Sequence, residues 1–146
     1  MQLTVRKIQY EDWSDCWNVQ QSGHNKKDCY TLDTWKFISE NMTDSFVVCD
    51  GKIVVGYWLG LLQVNMNEPE PDIWCLAVDV CTHKDYQTQG VMDLIMPVAT
   101  SYHPRIFAWT QKDNTPAEGI MTKWGFIKGE YYESTNNYYW TYENIT

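Results

Sequence analysis

Two groups of residues in this 146-residue chain have the types and spacing to do chemistry. The first begins on an apolar run, Ile73-Trp74-Cys75-Leu76-Ala77-Val78-Asp79-Val80-Cys81-Thr82, which carries Asp79 and then His83. A carboxylate or an imidazole can be tuned by partial burial to take up a proton near neutral pH, so these two are candidate bases. The same group continues into Gln87-Thr88-Gln89-Gly90-Val91-Met92, an amide-rich turn that opens a helix. Main-chain N–H groups at a helix start have no partner within the helix and carry about half a positive charge, so they can hold an anion such as a diphosphate. Gly90 lets that anion approach the backbone closely. The second group is Asn114, Ala117, Gly125 and Phe126. Each feature has a plainer reading as well. A strand Asp is commonly a paired structural acid, a His near a strand end is commonly just exposed, and one Gly commonly serves an ordinary strand-to-helix turn.

The elements that must position these residues can be read from periodicity. Leu3 to Ile8 alternates at period two, as a half-buried strand does. Asp12 or Ser14 is placed to cap a helix bearing Trp13, Cys16, Trp17 and Gln20, which ends near Gln21 before the turn formers at 22–27. A second helix starts near Thr31 or Asp33 and carries Trp35, Ile38 and Met42. Ser45 to Cys49 and Lys52 to Val64 form a hairpin through Asp50-Gly51. A polar loop follows over Asn65 to Asp72, since Pro69 and Pro71 cannot continue a ladder. Ile73 to Thr82 is the fourth strand. Val91, Leu94, Ile95 and Val98 mark a helix that Pro97 would kink or shorten. Arg105 to Thr110 is a strand, and Asn114 to Lys123 a helix with Pro116 in its first turn and Gly125 past its end. Phe126 to Thr135 and Tyr138 to Tyr142 form a closing hairpin, turning through Asn136-Asn137, with about half its aromatic rings facing the core. Strands four and five, bridged by a helix, must be parallel, so the class is α+β with a mixed sheet. Parallel strands joined in this way put a ligand at their C-terminal ends.

Composition narrows the partners. The chain is one domain's worth, 1–146, with 44% hydrophobic and 21% charged residues, 8 Trp and 10 Tyr. The formal charge is -8 and no run of basic residues is longer than a pair such as Lys26-Lys27. A nucleic-acid partner is therefore excluded, whereas an acidic surface favours encounter with amines or basic proteins. The five cysteines are odd in number, without C-x-x-C spacing, and read as reduced, buried, small hydrophobes. His24 and His103 with scattered acids lack metal-ligand spacing, so no metal is expected. The N-terminus lacks a secretory pattern and no apolar stretch approaches the ~20 residues that span a bilayer. The expectation is a cytoplasmic protein of the producing or an infected host cell, with no membrane partner.

Two segments carry a resemblance to a known family. His83-Lys84-Asp85-Tyr86-Gln87-Thr88-Gln89-Gly90 is similar to the end of strand four and the Q/R-x-x-G-x-G/A loop of the GNAT superfamily of acyl-CoA N-acyltransferases. Asn114-x-x-Ala117-x-x-x-Met121-x-x-x-Gly125-Phe126 matches the spacing of that family's N-x-x-A-x-x-x-Y-x-x-x-G-F segment. Val5-Arg6-Lys7-Ile8 and the hairpin at Asp50-Gly51 fall where the family has them, so the resemblance runs the length of the chain. It implies a mostly antiparallel central sheet flanked by helices, with strands four and five splayed around a cofactor cleft.

The resemblance further implies acetyl-CoA as co-substrate and direct attack of a neutral amine on its thioester. Gln87, Thr88, Gln89, Gly90, Val91 and Met92 would hold the diphosphate, main-chain groups near Val80 and Thr82 the pantetheine arm, and Asn114 the cofactor arm or thiol region. Asp79 or His83 would take the amine proton. At period two Cys75, Ala77, Asp79, Cys81 and His83 share a face, a parity that the bulge common in this family's strand four would shift. Three positions depart from the pattern. Met92 stands for the loop's last Gly or Ala, Thr88 stands where Gly is common, and Met121 replaces the Tyr that protonates the departing thiolate. The acceptor would be an amine of a small molecule or a protein. The rival expectation is a catalytically degenerate binding or assembly protein of the same fold, for example viral, meeting a protein partner through the C-terminal aromatic hairpin.

Overall fold

The computed structural model describes residues 2–65 and 72–144. Its strands are β1 (Leu3–Lys7), β2 (Phe46–Asp50), β3 (Ile53–Asn65), β4 (Asp72–Thr82), β5 (Arg105–Gln111), β6 (Ile127–Tyr132) and β7 (Asn137–Glu143). Its helices are α1 (Asp12–Gly23), α2 (Leu32–Asn41), α3 (Val91–Tyr102) and α4 (Thr115–Lys123), with single 3-10 turns at Lys26–Asp28 and Lys84–Tyr86. The seven strands form one sheet in the order β1-β2-β3-β4-β5-β7-β6. Only β4 and β5 are parallel among the described pairings, which are otherwise antiparallel. This is the mixed α+β sheet that the order of elements implied.

Side chains at helical spacing on α1 and α2 close one face of the sheet. Trp13, Cys16, Val19, Trp35 and Ile38 pack with Val47, Tyr57, Leu59 and Cys81. Val91, Ile95, Met96 and Ala99 of α3 close the other face on Val48, Val55, Trp58, Cys75 and Ile106. Each fully buried aliphatic side chain contributes about 1.5–3 kcal/mol. Trp35 anchors the first cluster with edge contacts to Trp13 and Trp17, and its Nε1 donates to the Trp13 carbonyl at 3.2 Å. Part of the aromatic load thus goes into the core on both sides: Trp13, Trp35 and Tyr57 in one cluster, and Phe46, Trp58, Phe126 and Trp140 in the other.

Local chemistry departs from the sequence expectations at three places. Asp12 does not cap α1, because its carboxylate is taken by Arg6 at 2.6 and 2.8 Å and by the Gln9 N–H at 2.7 Å, tying the helix start to β1. Pro97 neither ends nor shortens α3, which runs on to Tyr102. The closing turn places only Asn136 at positive φ (57°), and Asn137 already belongs to β7. In that hairpin about half of the aromatic rings face the core, as expected: Tyr138, Trp140 and Tyr142 of β7 pack into it, whereas β6 is exposed along its length because β7 inserts beside β5 and leaves β6 at the sheet edge. The proline-bearing stretch expected between β3 and β4 lies outside the described residues. Among the described residues no helix is long and apolar enough to cross a membrane.

Candidate active site

The site is an opening where β4 and β5 part. The described ladder between them joins Cys75 to Ile106 and Leu76 to Phe107. Beyond Leu76 the two strands diverge, and two cavities occupy the gap. One, about 490 Å³, lies between the end of β4, the turn at 87–90, the start of α3 and the last turn of α4. The other, about 320 Å³, lies deeper in the gap. They share His24, Val80, Ile120 and Trp124 as a common wall.

The larger cavity has the features of an anion site. Gly90 precedes α3 in the left-handed conformation (φ 73°), which favours glycine, and no atom would meet a Cβ there. The main chain therefore faces open space at the positive end of a 12-residue helix. Val80, Thr82, Gln87, Thr88, Gly90, Val91 and Met92 line this cavity; Gln89 does not, and its Nε2 donates to the Asp85 carbonyl at 3.2 Å. Gln87 acts as a strut, donating from Nε2 to the carbonyls of Gly23 (3.1 Å) and Thr82 (3.3 Å) and so joining the end of α1 to the end of β4. Met92 directs its methyl toward Gly56 of β3, 3.4 Å from where a Cβ would stand. Opposite the helix start, Lys123 on α4 pairs with Asp93 at 2.8 Å, and the lysine holds the Asp93 carboxyl below its usual range. Both partners are exposed, so an entering anion can compete for the lysine.

The smaller cavity crosses the sheet, because a bulge in β4 sets the direction of its side chains. Opposite β3, Leu59 pairs with Asp79 and the next residue, Gly60, pairs with Ala77, leaving Val78 as the extra residue. The period-two face expected for Cys75, Ala77, Asp79, Cys81 and His83 is thereby split. Cys75 and Ala77 pack toward α3, whereas Val78 and Cys81 pack toward α1 and α2. Asp79 falls on the α1 side with its cross-strand partner Leu59 and lines the smaller cavity.

Asp79 is the hub of a polar cluster, paired as the plainer reading of a strand Asp has it, with partners from α1 and β3. Tyr57 donates to its Oδ2 at 2.6 Å, and His24 Nε2 lies 3.0 Å from both carboxylate oxygens. The side chains of His24 and Asp79 are 23% and 12% exposed, so the pair is mostly shielded yet open to the gap. The hydrogen bond to Asp79 is the largest influence on His24 and raises its pKa to about 10, making it an imidazolium at neutral pH. Burial, together with the Asp79 charge, drives the Tyr57 hydroxyl far above its usual range, so Tyr57 stays a donor. These neighbours bring two donors, one O–H and one N–H shared between both oxygens, so the carboxylate keeps acceptor capacity of its own. His83 lines neither of these cavities: its Nδ1 accepts from the Asp85 N–H at 3.2 Å and its ring stands edge-on to Tyr86.

Asn114 is the N-cap of α4, accepting from the Ala117 N–H at 3.3 Å, and it lines the smaller cavity with Met121. Tyr57 is not picked out from the sequence, and His24 is weighed there only as a metal ligand. The one local signal for His24 is its place after Gly23, whose missing side chain lets α1 meet β4. A Cβ on Gly23 would overlap the Thr82 carbonyl oxygen.

Comparison with known proteins places this architecture. No protein-family model matches the chain, and no curated protein matches it in sequence. Solved structures match along its full length. An acetyltransferase of the GNAT family from Bacillus cereus ATCC 10987 superposes with a TM-score of 0.73 at 12% identity, covering 100% of both chains. NAA60 of Arabidopsis thaliana in complex with acetyl-CoA gives 0.72 at 10% identity, covering 98% of this chain and 100% of the other. The ribosomal-protein-S18-alanine N-acetyltransferase of Escherichia coli gives 0.70 at 13%, covering 97% and 94%. The chain therefore has the GNAT fold, carried by a divergent sequence.

Proposed function

We propose that this protein is an N-acetyltransferase that moves the acetyl group of acetyl-CoA onto an amine of a small molecule or a protein. The observation that carries this reading is the opening between β4 and β5, whose larger cavity ends on a helix N-terminus and whose smaller cavity reaches through the sheet to a carboxylate. The cofactor's diphosphate fits the first: the exposed main chain at Gly90, the start of α3 and Lys123 all favour negative charge. The pantetheine arm fits along β4 at Val80 and Thr82, which line the cavity leading inward. NAA60, which shares the fold, is a complex with acetyl-CoA.

The amine nitrogen attacks the thioester carbonyl carbon, a new C–N bond forms and the C–S bond breaks. Asp79 accepts the proton that the nitrogen loses, directly or through water, while His24 and Tyr57 hold the carboxylate in place. His83 is the weaker candidate, because its Nδ1 is engaged beside the 3-10 turn. The sulfur leaves as a thiolate. An ordinary thiol has a pKa of about 8.5, so this departure needs no acid at mildly alkaline pH, which accommodates Met121 in place of a tyrosine. Met121 is also the observation favouring the second reading, a protein of this fold that binds without catalysis.

Calorimetric titration with acetyl-CoA separates them. The expected result is micromolar binding, abolished by Gly90→Trp with the melting temperature monitored, weakened about fivefold by Lys123→Ala and tightened by Asp93→Asn. No binding at millimolar acetyl-CoA overturns the transferase reading. Binding without transfer to any of a panel of amines gives the second.

A further inference from the structure

α1 packs on β3 and β4, and beyond them the same face of the sheet carries an aromatic corner. Trp109 and Tyr139 are cross-strand partners with ring centroids 5.0 Å apart at 55°, and Tyr132 stands edge-on to Trp109 at 5.2 Å and 75°. Phe107 extends the floor, 5.7 Å from Tyr139. Trp109 and Tyr132 are each 42% exposed. Trp109 also lines the smaller cavity that holds Asp79, so the corner is continuous with the place where an amine would be acetylated.

The opposite face of the same strands shows what such rings attract. There Lys128 Nζ sits 3.9 Å from the Tyr138 ring centre, and Lys112 Nζ sits 5.6 Å from that of Tyr131. Among the described cation–ring contacts none involves Trp109, Tyr132 or Tyr139. Electron-rich faces set at an angle, on a chain of formal charge -8, match a compact organic cation by the ring quadrupole and by long-range attraction together.

We propose that the corner of Trp109, Tyr132 and Tyr139 binds a second cationic group of the acceptor, so that the preferred substrate is a primary amine carrying another fixed positive charge further along its body. This rests on the transferase reading for its substrate role, but the binding itself does not. The charged probe is the 5-aminopentyl trimethylammonium dication and its control is the isostere ending in a tert-butyl group, which keeps the amine but lacks the fixed charge; both are titrated calorimetrically into the full chain at physiological salt. The charged probe is expected to bind about tenfold more tightly. That ratio falls toward one in Tyr132→Leu and persists in Tyr138→Leu, which leaves the net charge unchanged and alters only the opposite face. Equal affinity for the two probes, or a ratio unmoved in both Tyr132→Leu and Trp109→Leu, overturns the proposal. A separate titration with acetyl-CoA reports on the transferase reading alone. Preference for the charged probe without acetyl-CoA binding leaves the corner standing and removes its catalytic purpose, and the reverse result removes the corner and keeps the transferase.

Discussion

Asp79 brings three parts of the chain together, since its carboxylate meets His24 from the end of α1 and Tyr57 from β3. Replacing it with Asn removes the anion that holds the imidazolium and a hydroxyl in a mostly shielded place. Asp79→Asn is expected to cost about 2–3 kcal/mol in chemical denaturation. The pair also leaves a signature in pH. His24 has its pKa raised from 6.5 to about 10 in the folded chain, so its contribution to stability is complete below about 6.5 and is lost as pH rises through about 10. Wild-type stability should therefore fall across that window, and Asp79→Asn and His24→Asn should each flatten the fall. A slope identical in all three proteins would show that the pair is not the titrating element. Residue type and local spacing single out Asp79 and the loop at Gly90 as candidates in the sequence. They do not join His24 to Asp79, because nothing near position 24 reveals a partner 55 residues away.

At the scale of elements, two irregularities decide the site. The bulge at Val78 turns Asp79 toward α1, and the absence of a side chain at Gly23 lets α1 end against β4. Gly23→Ala forces the backbone of one element off the other. A loss of about 1–3 kcal/mol is expected, together with weakened His24–Asp79 contact, read as a return of the His24 titration toward neutral pH by nuclear magnetic resonance. An unchanged His24 titration would mean that the close approach does not position the pair. The elements themselves were largely legible. Period two marked the strands and Asp50-Gly51 the hairpin, with Gly51 at φ 61°, and of the two expected starts of α2, Thr31 or Asp33, Thr31 is the cap. Asp12 misled because a residue suited to capping found a stronger partner in Arg6, which tertiary folding brings to 2.6 Å.

For the whole molecule, the relevant quantities are the sheet order and the charge. A net charge of -8 attracts cations in general from a distance, and salt screens that attraction. If the protein acetylates cationic amines, kcat/KM should drop about threefold or more as ionic strength rises from roughly 0.02 to 0.3 M, while an uncharged amine of similar shape should show little change. Equal salt dependence for both would remove steering from the account.

What the sequence by itself determined is what short-range physics governs. Alternation and helical spacing set the elements, a bridging helix made β4 and β5 parallel, and the amide-rich turn before Gly90 marked a helix start suited to anions. The family resemblance already implied that β4 and β5 splay and that β4 is bulged; tertiary structure alone decided that they part after Leu76, that Val78 is the extruded residue so Asp79 faces His24 and Tyr57, that β7 rather than β6 lies beside β5, and that Trp109, Tyr132 and Tyr139 meet at one corner. Each of these depends on register between strands remote in sequence. Register is settled by how side chains from many elements fill the core together, and no local window contains that information.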